Sequence, residues 1–149
     1  MSSEATGHNN KFVIDTFLNL GDIELKRAER YRVFVTMIRF DLSVIDRLFP
    51  EDANAVLDQI VEFAQGKIRG SDMISSTSRS IAILIPETPR QGAEVTSRRL
   101  RDLLRARLSE IAKQDVEDTI PLELASYPDT AGARPMADFL KDLAAMSKN

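Results

Sequence analysis

The run Ile81-Ala-Ile-Leu-Ile85, stopped by Pro86, constrains this chain more than any other stretch. It is short, apolar and rich in β-branched side chains, the pattern of a buried strand. Proline ends it because it has no N–H to give to a sheet ladder. Met73-Ile74 starts a second apolar run just upstream, and polar residues 75–80 lie between the two. Residues 73–85 are therefore expected to form a β-hairpin, with the polar stretch as its turn.

The flanking sequence alternates helix and strand patterns. Val13, Ile14, Phe17 and Leu18 repeat at helical spacing, and the pattern continues past Ile23 and Leu25. This predicts a helix over about 10–31, with Gly21 as a weak point that would kink it. Val33-Phe-Val-Thr-Met-Ile-Arg-Phe-Asp41 reads as a central strand. Residues 42–51 form a connection with no assigned shape. Ala53, Val56, Leu57, Ile60, Val61, Ala64 and Ile68 predict an amphipathic helix over 53–68, with Asp52 as its cap and Gly70 at its end.

After the hairpin, Pro89 and Gly92 open a helix with Ala93, Leu100, Leu103, Leu104, Leu108 and Ile111 on one stripe. Arg98, Arg101 and Arg105 fall on its far side and Arg99 on its flank. Residues 114–118 are an acidic loop, 120–128 a strand, and 137–146 a closing helix. Strands separated by helices, plus a hairpin, predict one α/β (α+β) domain over 10–149. Its central sheet would be mixed, mainly antiparallel and flanked by helices. Residues 1–9 are small and polar and read as a frayed tail or linker.

Composition removes several function classes. The chain has 149 residues, enough for one domain with a real core. It has no cysteine, which excludes disulfides, thiolate catalysis and zinc–thiolate sites, and one histidine, His8, cannot build a His-rich metal site. The formal net charge of −3 argues against a general nucleic-acid binder, so the Arg98-Arg-Leu-Arg101 cluster reads as a solvated helix face. No apolar run approaches the roughly 20 residues of a membrane helix, and no signal-peptide core opens the chain. A cytoplasmic protein without membrane or nucleic-acid partners is expected, either very small or a domain of a longer chain.

Several segments, in order, resemble the GGDEF (diguanylate cyclase) family. Arg69-Gly70-Ser71-Asp72 and the run from Ile81 to Thr88 resemble the family's Arg-x-x-Asp motif and its apolar strand ending in Pro-Glu/Asp-Thr. Thr6-Gly-His-Asn-Asn-Lys11 resembles its opening motif, Ile120 to Pro128 its Ser-Ile-Gly-Val-Ala-x-Tyr-Pro strand, and Ala137-Asp138 its closing helix. The departures are specific. Where the family has Gly-Gly-Asp/Glu-Glu-Phe, this chain has Thr77-Ser78-Arg79-Ser80-Ile81, reached by a strand one residue shorter. Where the family's strand ends in Asp-x-Asp, this chain has Arg39-Phe40-Asp41. Glu123 replaces a glycine. The resemblance implies a degenerate GGDEF-like domain with a nucleotidyl-cyclase-like palm.

It also implies lost catalysis. Joining two GTP molecules relies on carboxylates that hold Mg²⁺. The family's metal-binding acids fall on Arg39 and on Arg79-Ser80. A fixed cation repels a second cation by about 1 kcal/mol per unit charge at 4 Å even in water, and by more near protein. No enzyme activity, metal site or cofactor is expected. The family's guanine-contacting positions fall near Arg47 and Asn54. The Arg-x-x-Asp motif is the family's inhibitory product site, matched by Arg69 and Asp72, with Arg99 on the position of a further arginine. Arginine grips phosphate or a guanine edge, and aspartate accepts from guanine N–H groups. The resemblance implies a cyclic di-GMP receptor that couples to a copy of itself or to another signalling domain. Three alternatives stay open: Arg69 and Asp72 form only a solvated surface pair, the domain is a protein-interaction and dimerisation module that binds no nucleotide, or it keeps a residual enzymatic or GTP-binding function.

Overall fold

The structure is a computed structural model and describes residues 10–129, 131, 132 and 134–148. The expected tail over 1–9, with His8 and most of the opening motif, lies outside the described residues. The elements run α1 (Ile14–Tyr31), β1 (Val35–Asp41), α2 (Val44–Leu48), α3 (Ala53–Gln65), β2 (Met73–Thr77), β3 (Ser80–Pro86), α4 (Arg90–Ala112), β4 (Leu122–Tyr127) and α5 (Met136–Ser147).

The sheet order is β2-β3-β1-β4, with every neighbouring pair antiparallel. This is a split β-α-β arrangement: β3 of the hairpin slots between β1 and β2. The sheet is thus mainly antiparallel as expected, and its one described parallel pairing is the isolated bridge Lys11↔Ile74.

Alternation along the strands divides the core. Ile81, Ile83 and Ile85 of β3 join Ile38 and Phe40 of β1 beneath α3 and α4. Ala82 and Leu84 join Val35, Met37 and Ala125 beneath α1 and α5. Both faces of β1 and β3 are therefore buried, which explains why their sequences read as continuous apolar runs rather than as alternation. No described helix is long and apolar enough to cross a membrane.

Several boundaries move from their expected places. Helix α1 starts at Ile14 because residues 10–12 pair with the outer edge of β2. Phe12 N–H donates to Ile74 O and Ile74 N–H to Asn10 O, both at 2.9 Å. The helix runs uninterrupted through Gly21. That glycine serves a close approach: a Cβ there would lie 2.9 Å from Leu140 Cδ2 of α5 and 3.3 Å from Met37 Cε. Residues 42–51 hold the short α2. Asp52 stands at the N-cap of α3, but its side chain makes no capping bond. Helix α3 ends at Gln65 with Gly66 at its C-cap, ahead of Gly70, where the last turn tightens and Lys67 N–H donates to Ala64 O at 2.9 Å. The hairpin turn is tighter than the polar stretch suggests. Ser75 to Thr77 belong to β2, Thr77 pairs with Ser80, and only Ser78 and Arg79 turn, with Ser78 at φ 53°.

Candidate functional site

The turn between α3 and β2 is built around one carboxylate. Asp72 is 3% exposed, and its own N–H donates to Arg69 O at 3.0 Å. Its Oδ2 accepts from the backbone N–H of Arg69 at 2.9 Å and from Arg69 Nε at 3.4 Å, while Oδ1 accepts from Nη2 at 3.0 Å. The ionised side chain thus closes the turn and orients the guanidinium together. Arg69 Nη2 also reaches Thr88 Oγ1 at 2.9 Å and Pro86 O at 3.4 Å, spanning from the turn to the end of β3. Thr88 is fixed in turn, because buried Thr36 on β1 donates to its carbonyl at 2.9 Å. The motif's first residue therefore stands on both the α3–β2 turn and the sheet.

Arg69, Asp72 and Arg99 come together. They line one depression of about 230 Å³ with Lys67, Thr88 and Thr96. Arg99 is exposed and has no hydrogen-bond or ion-pair partner among the described residues. Arg69 is 59% exposed on its side chain, and its Nη1 makes no described bond. Three cationic side chains thus surround one buried carboxylate, an arrangement that favours an anionic, planar ligand. The sequence reading missed Lys67, Thr88 and Thr96 as lining residues. It also missed Asn10, whose Nδ2 donates to Arg69 O at 3.4 Å while its Oδ1 accepts from Gln65 Nε2 at 2.8 Å. Only the spacing of Thr88 from the Pro86 strand end carried a signal for any of these.

At the far end of the sheet, Arg39 and Glu123 are register partners across β1 and β4. Arg39 Nε lies 3.4 Å from Glu123 Oε1, and Arg39 Nη1 donates to Ser80 Oγ at 2.8 Å. Glu123 also pairs with Arg134, which pairs with Asp142 of α5. Arg39, Glu123, Arg134 and Asp142 line a cavity of about 320 Å³ with Phe139 and Met146. In the hairpin turn, Arg79 Nε donates to Asp46 Oδ1 at 3.0 Å and Oδ2 at 3.1 Å, and its Nη1 donates to Asn54 Oδ1 at 2.9 Å. Arg39 and Arg79, which the sequence resemblance places on the family's metal-acid positions, thus each hold an acidic partner. The described residues contain no group of three or more His, Asp or Glu able to hold a metal ion.

This sheet, with its hairpin and flanking helices, is that of known proteins: the chain has the fold of GGDEF diguanylate cyclase domains. The diguanylate cyclase SiaD of Pseudomonas aeruginosa, solved with its activator SiaC, matches with a TM-score of 0.66 at 17% identity over 91% of this chain. This chain spans 53% of that one, about half its length. The GGDEF domain of DgcB from Caulobacter crescentus, solved with cyclic di-GMP, matches with a TM-score of 0.62 at 12% identity, over 97% of this chain and 86% of that one. The active GGEEF domain of a diguanylate cyclase from Vibrio cholerae gives 0.55 at 21% identity, over 85% and 82%. No family model and no curated protein matches the chain.

Proposed function

We propose that this chain is a catalytically silent GGDEF-fold signalling domain that binds cyclic di-GMP through Arg69, Asp72 and Arg99. The observation that carries this reading is their convergence on one depression, where Arg99 and Arg69 Nη1 have no other described partner. The likeness to DgcB, solved with cyclic di-GMP, lends support. Silence follows from Arg39 and Arg79, which bring fixed positive charge to positions where Mg²⁺ needs hard anionic oxygen. The ligand would act by binding one arrangement of this domain and a neighbouring one better than another.

Calorimetric titration with cyclic di-GMP, beside GTP, tests the reading. Micromolar binding of cyclic di-GMP that vanishes in Arg69→Ala and weakens in Arg99→Ala is expected, with no Mg²⁺-dependent conversion of GTP. Formation of cyclic di-GMP from GTP would sink the assignment of Arg39 and Arg79. One observation favours a second reading, an interaction module without nucleotide: both oxygens of Asp72 are already engaged by Arg69. Absence of heat with cyclic di-GMP would select that reading.

A further inference from the structure

A basic pair and an acidic pair, both without ion-pair partners among the described residues, are complementary. A groove of about 610 Å³ runs between α4 and β4, and Arg90, Arg98, Arg101 and Arg134 line it with Glu94 and Glu123. Glu94 is bound by Arg90 at 3.2 Å, and Glu123 by Arg134. Arg98 and Arg101 have no acidic partner among the described residues. The groove is therefore positive in a chain whose formal charge is −3. It also follows an open edge, because among the described residues β4 pairs only with β1. Asp41 N–H donates to Pro121 O at 2.9 Å, which turns the backbone groups of 121, 123 and 125 toward β1 and those of 122 and 124 outward. Arg90 takes the outward carbonyl of Leu124 at 3.4 Å. The other sheet edge is covered, since residues 10–12 bond to β2.

Asp115 and Glu117 have no ion-pair partner among the described residues, and both are exposed in the segment that leads from α4 into β4. Between them Val116 is buried, and its N–H donates to Ser109 Oγ at 2.9 Å, which fixes the segment on its own chain. Alternate residues of an extended segment point the same way about 6.6 Å apart. Residues three apart on a helix, such as Arg98 and Arg101, present side chains about 5–6 Å apart. The acidic pair thus fits the basic pair. The two do not meet within one chain, where Asp115 and Glu117 lie instead around a depression with Asp102 and Arg105.

We propose that two copies associate about a two-fold axis along the β4 edges, each seating its residues 115–117 on Arg98 and Arg101 of the other. A two-fold interface needs this self-complementarity: if patch i meets patch j, then j meets i. The acidic segment precedes β4 by a few residues, beside the same helix α4 that carries Arg98 and Arg101, so an antiparallel approach of two β4 edges can bring each segment to the other groove.

Sedimentation equilibrium over a range of concentrations tests this. The wild-type protein is expected to reach the mass of two chains at low salt and to dissociate as salt rises. Arg98→Glu with Arg101→Glu, and separately Asp115→Lys with Glu117→Lys, should each weaken association about tenfold or more by opposing like charges. An equimolar mixture of the two reversed variants should recover the dimer, because both contacts are again between opposite charges. Recovery also shows that both variants fold. A wild-type protein of single-chain mass at every concentration overturns the proposal, as does a dimer that either reversal leaves intact. Capture of an unrelated acidic peptide by a protein that stays monomeric overturns it too.

Discussion

Replacing Asp72 by alanine removes the acceptor for three N–H donors of Arg69 at 2.9, 3.0 and 3.4 Å. The backbone bond resembles a helix cap, whose loss costs about 1 kcal/mol. The two guanidinium bonds count for less: Arg69 is 59% exposed, so water replaces them, and together they contribute up to about 1 kcal/mol. The total is about 1–2 kcal/mol. For a chain of this size, 1 kcal/mol moves the midpoint about 2–4 °C, so Tm should fall by roughly 2–8 °C. Arg69→Ala keeps the backbone bond and should cost about 1 kcal/mol or less. The two variants therefore separate structure from recognition. Both should lose cyclic di-GMP, but only Asp72→Ala should be clearly destabilised. Urea unfolding followed by circular dichroism, with and without nucleotide, measures both effects. At a hundredfold excess over Kd the ligand should add about 2.7 kcal/mol to the wild type and nothing to either variant. If Asp72→Ala unfolds within about 0.5 kcal/mol of wild type, the carboxylate does not anchor the turn and the reasoning fails.

Ile83, fully buried at the centre of β3, should cost about 2–5 kcal/mol when cut to alanine, as read by urea midpoint. Gly21→Ala should be close to neutral in the same assay: better helix propensity of about 1 kcal/mol offsets a small shift of the Leu140 and Met37 side-chain ends. Gly21→Leu should instead cost about 1–3 kcal/mol by forcing α1 off α5. A double-mutant cycle on Arg39 and Glu123, both partly exposed, should return a coupling of about 0.5–1 kcal/mol that shrinks in high salt; a coupling of zero would remove the pair from the account.

The strands and helices were legible in the sequence because their signals are periodic. The apolar stripes of α3 and α4 and the runs in β1 and β3 appear in the structure with their buried faces where periodicity puts them. Boundaries were less legible because they depend on distant partners. Nothing near Asn10 announces that it will bond to Ile74, and this bond is what keeps residues 10–12 out of α1. Serines 75 and 76 have turn composition yet lie in β2, since their backbones pair with Ala82 and Ile81. Within the site, Arg69, Asp72 and Arg99 were legible through resemblance. Thr88 was marked only by its place after the Pro86 strand end, and Lys67 not at all, because their roles come from how the end of β3 folds over the turn. Glu123 was visible as a departure from a glycine, but its pairing with Arg39 needed the register of β1 against β4.

The bond pattern at Asn10 also has a mechanical meaning. Its carbonyl accepts from Ile74 N–H, and Phe12 N–H donates to Ile74 O, so residues 10–12 are clamped along β2 by two bonds side by side. Tension along the chain at this point meets both bonds in shear, where they must yield together rather than unzip one after the other. The same residue's amide holds the carbonyl of Arg69, and Gln65 holds that amide. A pull arriving at Asn10 is thereby transmitted to the Arg69 turn before it reaches α1, and a stiffened turn resists that pull in return.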